Sequence, residues 1–512
     1  MPQHFDIAVI GAEPAAVIAA ALLCKRGRRV ILIDNGEDVS TYGRNNYRLP
    51  LAPILTPQIE NSAAMHKVHE ELGLGPELRA HIRQLSPGLQ TVLPHHRFNI
   101  YNDPQTLKTE LSREFPKAAD AIENFLNRLF AADNDLNNIL RQYFPIKPKT
   151  LSERWRWRSW QQLTAAFARP FEPQQWLTDI ALDHPLYDVL QSPLSFFGYL
   201  ATDRPSTFQA IRLLARYFRG LIELHDQPEY GLPAFLMRVA KRVGVEVRHH
   251  ATIVNIGLKK RYLHHLDIAN DKQTITADYF INGTLAPFTE LLPATAQHPR
   301  FTLEEQLVRP VGSLLVTNLL VDRAVIPCGM GQVLFVLNGR RQARKGDDID
   351  PPMLLQRFTA LQRDPKTNNR KAIIDDKREV LSIAIPVRTT DFAHLPDRLA
   401  NMKLQILERV GRVVPFLQRY ICDMSLPTDT ASWDIEDNGT RRVDPWRLHP
   451  LYETTNSPLL GISARSPRTF FKNLWHCSHA VLPGLGIEGD YITGLAVSEN
   501  LLVEAYRKWR KI

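Results

Sequence analysis

Phe5-Asp6-Ile7-Ala8-Val9-Ile10-Gly11-Ala12-Glu13-Pro14-Ala15-Ala16 is the stretch on which the fold turns. Residues 5–11 form a short apolar run closed by glycine, the pattern of a buried parallel strand. Pro14 suits the first turn of a helix. The Ala- and Leu-rich residues 15–26 continue that helix, and Gly27 ends it with Lys25 and Arg26 in the last turn. Residues 30–34, Val-Ile-Leu-Ile-Asp, read as a second buried strand. Strand, glycine turn, helix and strand make a βαβ unit with a right-handed crossover. The fold class expected from it is α/β.

The turn after the first strand is where a dinucleotide fold carries G-x-G-x-x-G, with an acid about 20 residues further on. The glycines let backbone N–H groups approach a pyrophosphate at the helix N-terminus, and the acid bonds the ribose. Here Gly11 keeps the first position, Ala12 follows it, and alanine stands at the third glycine, beyond Pro14 and Ala15. Asp34 supplies the acid. The second glycine is Glu13. Its Cβ crowds the closest approach, its carboxylate opposes a phosphate, and the helix dipole favours an anion there. Two readings follow: a loop remodelled around a bound dinucleotide, or a Rossmann-type unit whose phosphate hole is taken by Glu13.

The chain has 512 residues, enough for two or more domains. With 44% hydrophobic and 23% charged residues, it is expected to fold rather than stay disordered. A net charge of +9 is mild over that length, and no nucleic-acid module is visible, so no nucleic-acid partner is expected. The four cysteines, Cys24, Cys328, Cys422 and Cys477, are widely spaced, which excludes a disulfide framework or a C-x-x-C metal site. No metal ligand set is assigned. The N-terminus lacks a secretory pattern, and the longest apolar run is about ten residues, half of what a membrane span needs. A cytoplasmic protein is expected, with peripheral membrane contact as the alternative.

Residues 60–225 read as helix-rich. A helix is expected at 232–243 and strands at 245–248, 252–256, 262–268 and 274–281. Further strands are expected at 313–320, 332–337 and 380–386, with a helix at 398–410 and surface loops at 347–352 and 364–371. The segment Trp155-Arg156-Trp157-Arg158-Ser159-Trp160 alternates aromatic and basic residues. It reads as a helix packing an aromatic face on the core, with a membrane interface as the alternative. Cys477 reads as an inert buried thiol.

Three blocks carry a family resemblance. The first is the N-terminal unit. The second holds Gly231-Leu232-Pro233, then Gly244-Val245-Glu246-Val247-Arg248, Ala251-Thr252-Ile253 and Ala277-Asp278-Tyr279. The third is Asn473-Leu474-Trp475-His476-Cys477-Ser478, followed by Pro483-Gly484-Leu485-Gly486-Ile487-Glu488-Gly489 and a helix over 490–505. Together they resemble the phytoene-desaturase-like flavoproteins of the amine-oxidase superfamily. The resemblance implies a Rossmann-type FAD-binding domain assembled from residues 1–60, 226–300 and 455–512, and an α+β substrate domain from 61–225 and 301–454. It implies FAD as cofactor. Ile253 would touch the adenine by its backbone, and Gly43-Arg44 is the best match to the family's stretch after strand two. Ser478, Gly484, Gly486, Ile487 and Gly489 would face the flavin. Ser478 and Ala480 stand where the family has glycine. His476 and His479 lie close enough to that turn to relay a proton to a flavin, but strand and loop histidines with no catalytic work are the favoured reading.

The function implied is an FAD-dependent oxidoreductase of desaturase, saturase or isomerase type, acting on a small apolar substrate such as an isoprenoid or polyene. No catalytic residue is assigned, and no oligomeric state is read. The alternative is a flavin-free binding protein on the same scaffold, with a lipid or protein ligand. Rab GDP-dissociation inhibitors, which resemble these flavoproteins and bind a prenylated partner, are its precedent by fold. Glu13, Ser478 and Ala480 favour it, because each takes room from a cofactor; the turn from Pro483 to Gly489, kept nearly whole, suits a site still shaped for flavin and favours the enzyme.

Overall fold

The run at residues 5–11 becomes β1 (Gln3–Ile10), the helix after it α1 (Pro14–Lys25), and the second run β2 (Val30–Asp34). In this computed structural model the described residues are 3–34, 41–142, 146, 154–155, 158, 161–162, 164–191, 193–201, 205–224, 231–269, 274–292, 298–306, 308–338, 351–363, 372–388, 395–426, 434–435, 441–442, 448–454 and 465–509. The loop expected at 364–371, and all but the last two residues of that at 347–352, lie outside them, as do Trp157 and Trp160. Trp155 is 71% exposed and does not pack on the core as the sequence suggested.

The first sheet grows outward from β1. On one side stand β2 and β3 (Glu246–His249), both parallel to it. The hairpin β4 (Ile253–Lys259) and β5 (Tyr262–Ile268) leads into β6 (Thr274–Asn282), which lies parallel to β1 on the other side. β6 divides its free edge. Its first half pairs antiparallel with β5, and its last residues, Phe280 to Asn282, pair parallel with β7 (Leu474–His476). The parallel order β3-β2-β1-β6-β7 is a doubly wound sheet, so a cleft is expected beyond the carboxyl ends of the strands.

α1 is apolar on every side, because residues 15–23 are all buried. α2 (Ala63–Glu71), α6 (Gly231–Arg242) and the C-terminal α7 (Ile487–Trp509) pack around it. Between α2 and α6 in sequence run α3 (Ala119–Gln142), α4 (Pro193–Gly198) and α5 (Thr207–Arg219). α5 is buried almost throughout, and Ser206 and Gln209 close its N-terminus in a capping box.

The second sheet, ten-stranded among the described residues, is antiparallel at its centre. Val308–Asp322, Ala372–Arg388 and Met353–Arg363 lie side by side there. The helix-rich segment contributes to it through Leu89–Val92 and Arg97–Ile100, and the hairpin Thr41–Arg44 and Tyr47–Pro50 joins it through Met353–Arg363. The protein is therefore an α/β molecule with a Rossmann-type sheet and a second, mainly antiparallel sheet. Among the described residues no helix is long and apolar enough to cross a membrane, and no group of three or more metal-ligating side chains converges.

Candidate functional site

The turn after β1 is locked from within. Gly11 donates to Ile33 O at 2.9 Å and Gly283 donates to Ile10 O at 2.7 Å. Gly11 has φ +87°, and a Cβ there would run into the backbone of Gly283. Its glycine is thus required by the close approach of two strand ends. Glu13 caps α1 by position, with its backbone N–H donating to Gly283 O at 3.2 Å. Its side chain is 1% exposed, and Oε2 accepts the backbone N–H of His479 at 2.6 Å. The carboxylate thus spans from the α1 N-terminus, where the fingerprint placed a pyrophosphate, to the turn after β7.

Ala12, Pro14 and Ala15 are placed in the same turn, with Ala15 fully buried. Asp34 stands at the end of β2 as expected, and its Oδ2 lies 2.9 Å from His249 Nδ1 on β3. Ile253 opens β4, two residues beyond Ala251, whose N–H bonds Asp34 O at 3.0 Å. Gly43 and Arg44 are brought elsewhere: they form part of the second sheet's edge hairpin, where Arg44 pairs with Asp423 at 3.1 Å. A register argument from sequence could not detect this, because the hairpin's partner strand lies some 300 residues downstream.

The C-terminal turn keeps its glycines but covers them. A Cβ on Gly486 would fall on the Phe197 carbonyl at the end of α4, and one on Gly484 would meet the Gln209 side chain of α5. A Cβ on Gly489 would meet Leu482 O. Ile487, beside Phe197 and Tyr199, lines a void of only about 20 Å³. Ser478 is buried and stands next to the Glu13–His479 contact.

A cluster that the sequence did not show fills the space behind this turn. His479 Nδ1 lies 2.6 Å from Asp490 Oδ1. The Tyr199 ring packs on His479 and His449 at centroid distances of 4.9 and 4.4 Å. Burial and then the charges of Asp490 and Glu13 push the Tyr199 hydroxyl well up, and burial does the same to the Cys477 thiol, which stays protonated. Burial, with a smaller push from His479, lowers His449 to about 3, and burial with His66 lowers His69 to about 4. Both are neutral in the folded protein at pH 7. Because their folded values lie below the unfolded 6.5, acidification protonates the unfolded chain first and stability falls from pH 6.5 downward. Each should cost roughly 2 kcal/mol by pH 5. Urea unfolding at pH 7 and pH 5 should show this loss, and His449→Phe should remove about half of it. An unchanged pH slope in the variant would contradict the assignment.

The open space lies on the other side of Ser478. A cavity of about 340 Å³ sits at the carboxyl ends of β6 and β7. Asn282, Thr284, Glu305, Tyr452, Arg465 and Ser478 supply its polar wall, and Leu285, Pro287, Val308, Pro310 and Ala480 its apolar one. Its position is the one a doubly wound sheet reserves for ligands, and its size suits a small molecule. Arg465 gave no signal in the sequence, since it precedes the third block without a recognisable spacing.

This pair of sheets is a fold shared with solved amine oxidases and with a Rab GDI. Among solved structures, the chain is similar to putrescine oxidase bound to putrescine (TM-score 0.56, 14% identity, 98% of this chain and 100% of that one). It is also similar to cyclohexylamine oxidase from Brevibacterium oxydans (0.52, 12%, 97% and 99%) and to Rab GDI from Plasmodium falciparum (0.52, 11%, 98% and 98%). No family model matches the chain, and none of the curated proteins does.

Proposed function

We propose that this chain is a flavin-free binding protein on an oxidoreductase scaffold, taking a small ligand in the cavity at the carboxyl ends of β6 and β7. The observation that carries the reading is the buried Glu13 carboxylate bonded to the His479 N–H. A pyrophosphate brought to the α1 N-terminus would meet a buried carboxylate there. The covered faces of Gly484 and Gly486 support the same conclusion, because an isoalloxazine ring needs bare backbone where α4 and α5 now pack. The residues present do not fit a flavin dinucleotide. That Rab GDI shares the fold is consistent with a role in binding rather than redox chemistry.

A second reading keeps FAD. It is favoured by Asp34 at the end of β2, by the apolar α1 that begins at the glycine turn, and by the full-length likeness to two oxidases. On that reading the chain is an FAD-dependent oxidoreductase, in the finer form a desaturase-like enzyme acting on an apolar, isoprenoid-type substrate. The two readings separate in one titration. Purified protein mixed with FAD and passed through a desalting column is expected to emerge without flavin absorbance. FAD retained at one per chain would overturn the proposal and restore the enzyme reading. Glu13→Gly should free the His479 N–H and raise the affinity for ADP, while flavin is still not retained because Phe197 and Gln209 remain in place.

A further inference from the structure

The cavity holds a buried arginine. Arg465 lines it, is 8% exposed, and donates to backbone oxygens: Nη2 bonds Glu305 O at 2.5 Å and Val308 O at 3.1 Å. Its Nε is buried without a hydrogen-bond partner. Among the described residues no carboxylate lies within ion-pair distance of its guanidinium. Glu305, the nearest candidate, directs its carboxylate to the N–H groups of Phe288 and Thr289 at 2.9 and 3.2 Å. A guanidinium stays charged in any protein environment, and a buried charge without a counter-ion is costly. The buried Arg212 and Arg216, by contrast, have carboxylates against them.

We infer that the cavity binds a small monocarboxylate whose carboxyl group pairs with Arg465 and whose body lies against Leu285, Pro287, Val308, Pro310 and Ala480. This rests on the reading of the cavity as the ligand site of a flavin-free scaffold. The planar fork of arginine matches a carboxylate, and a carboxylate can accept from Nε as well as from an outer nitrogen. The apolar wall selects for a short aliphatic or aromatic body over a second charged group. A single negative charge is favoured over two, because the carboxylates of Glu305, Glu13 and Glu304 all act on Arg465 and would oppose a dianion. Inorganic phosphate shares the anionic chemistry and is therefore the control.

Calorimetry on the full chain, with benzoate and butyrate as probes, tests the inference. One site per chain is expected for at least one of them, with benzyl alcohol, which lacks the charge, much weaker. Arg465→Gln should weaken binding roughly 30-fold or more, and Arg465→Lys should recover part of the loss. Ala480→Phe leaves Arg465 in place and fills the cavity, and it should abolish binding in a chain whose circular dichroism is unchanged. No binding of either acid at millimolar concentration, equal affinity in the Ala480→Phe variant, or phosphate bound as tightly as benzoate would each overturn it. The FAD titration is independent of these outcomes. Carboxylate binding together with retained FAD would remove the flavin-free reading but keep the site. A colourless protein that binds neither acid would do the reverse.

Discussion

Glu488→Gln is expected to lower the unfolding free energy by about 3–5 kcal/mol, although the change removes one charge and almost no volume. Glu488 is fully buried at the first turn of α7. It accepts from Arg212 through Nε at 3.1 Å and through Nη2, from Arg216 Nη2, and from Ser62 Oγ at 2.7 Å. Arg212 also reaches Asp133 on α3 at 2.6 Å, and Arg219 pairs with the other oxygen of Asp133. Two carboxylates thus hold three arginines, and the network ties α3, α5 and α7 to Ser62, the N-cap of α2. Burial pushes the Glu488 carboxyl up, but Arg212 and Arg216 prevail and bring it to about 2. The stability it contributes is present above the ordinary 4.5 and is lost as pH falls from there toward 2. Glutamine leaves Arg212 and Arg216 facing one remaining acid inside the core. Denaturant unfolding at pH 7 measures the loss. Glu499→Gln, which breaks the exposed pair with Lys67, should cost under about 1 kcal/mol. Equal effects from the two variants would mean that the buried network carries no special weight.

That network also marks the limit of what the sequence disclosed. The βαβ unit was legible because its signals are local: an apolar run, a proline at the first helical turn, a glycine past the last. The expected strand at 262–268 coincides with β5, and those at 245–248 and 274–281 fall within a residue of β3 and β6. Pairings of Glu488 with Arg212 and of Glu13 with His479 span 276 and 466 residues, and no periodicity encodes them. Two traces were nonetheless present. An acid lies between the glycines of the third block, and two arginines sit four apart on a helix whose other residues are mainly apolar. Both are improbable in a core unless they meet.

The same limit applies to the second sheet. Its central strands, Val308–Asp322 and Ala372–Arg388, run to 15 and 17 residues, whereas the sequence suggested only their apolar middles, 313–320 and 380–386. Their outer ends carry charged residues that still pair, as Asp322 does with Arg378 across the ladder. Hydrophobic patterning reports burial, and a strand that extends past the core keeps its hydrogen bonds without the apolar signal. Glu13 was the one site residue whose role could be framed in advance, because a carboxylate at a glycine position in a phosphate-binding turn has few physical outcomes. The structure gives it the N–H of His479, which had no place in that argument.

Gly486→Ala should be the most damaging single-methyl addition in the C-terminal turn, costing more than about 4 kcal/mol or preventing folding. Gly486 has φ 56° and ψ −137°, a combination close to glycine-only backbone. The added Cβ would also strike the Phe197 carbonyl, which is backbone and can yield only if α4 moves. Phe197 in turn stacks on Phe335 of the second sheet at 6.0 Å, so displacing α4 disturbs the contact between both halves of the molecule. Gly411 is the control: it lies in the helix Leu395–Val413, nothing approaches its Cβ position, and alanine there should be neutral or stabilising by up to about 1 kcal/mol. The comparison bears on function as well as stability. A glycine kept so that a flavin can lie against it would tolerate a methyl in the cofactor-free protein apart from the backbone strain, about 1–3 kcal/mol. A glycine kept because α4 already occupies that face would not. A loss well above the strain cost would therefore show that protein has replaced cofactor at this turn. A loss within it would reopen the space to a flavin ring.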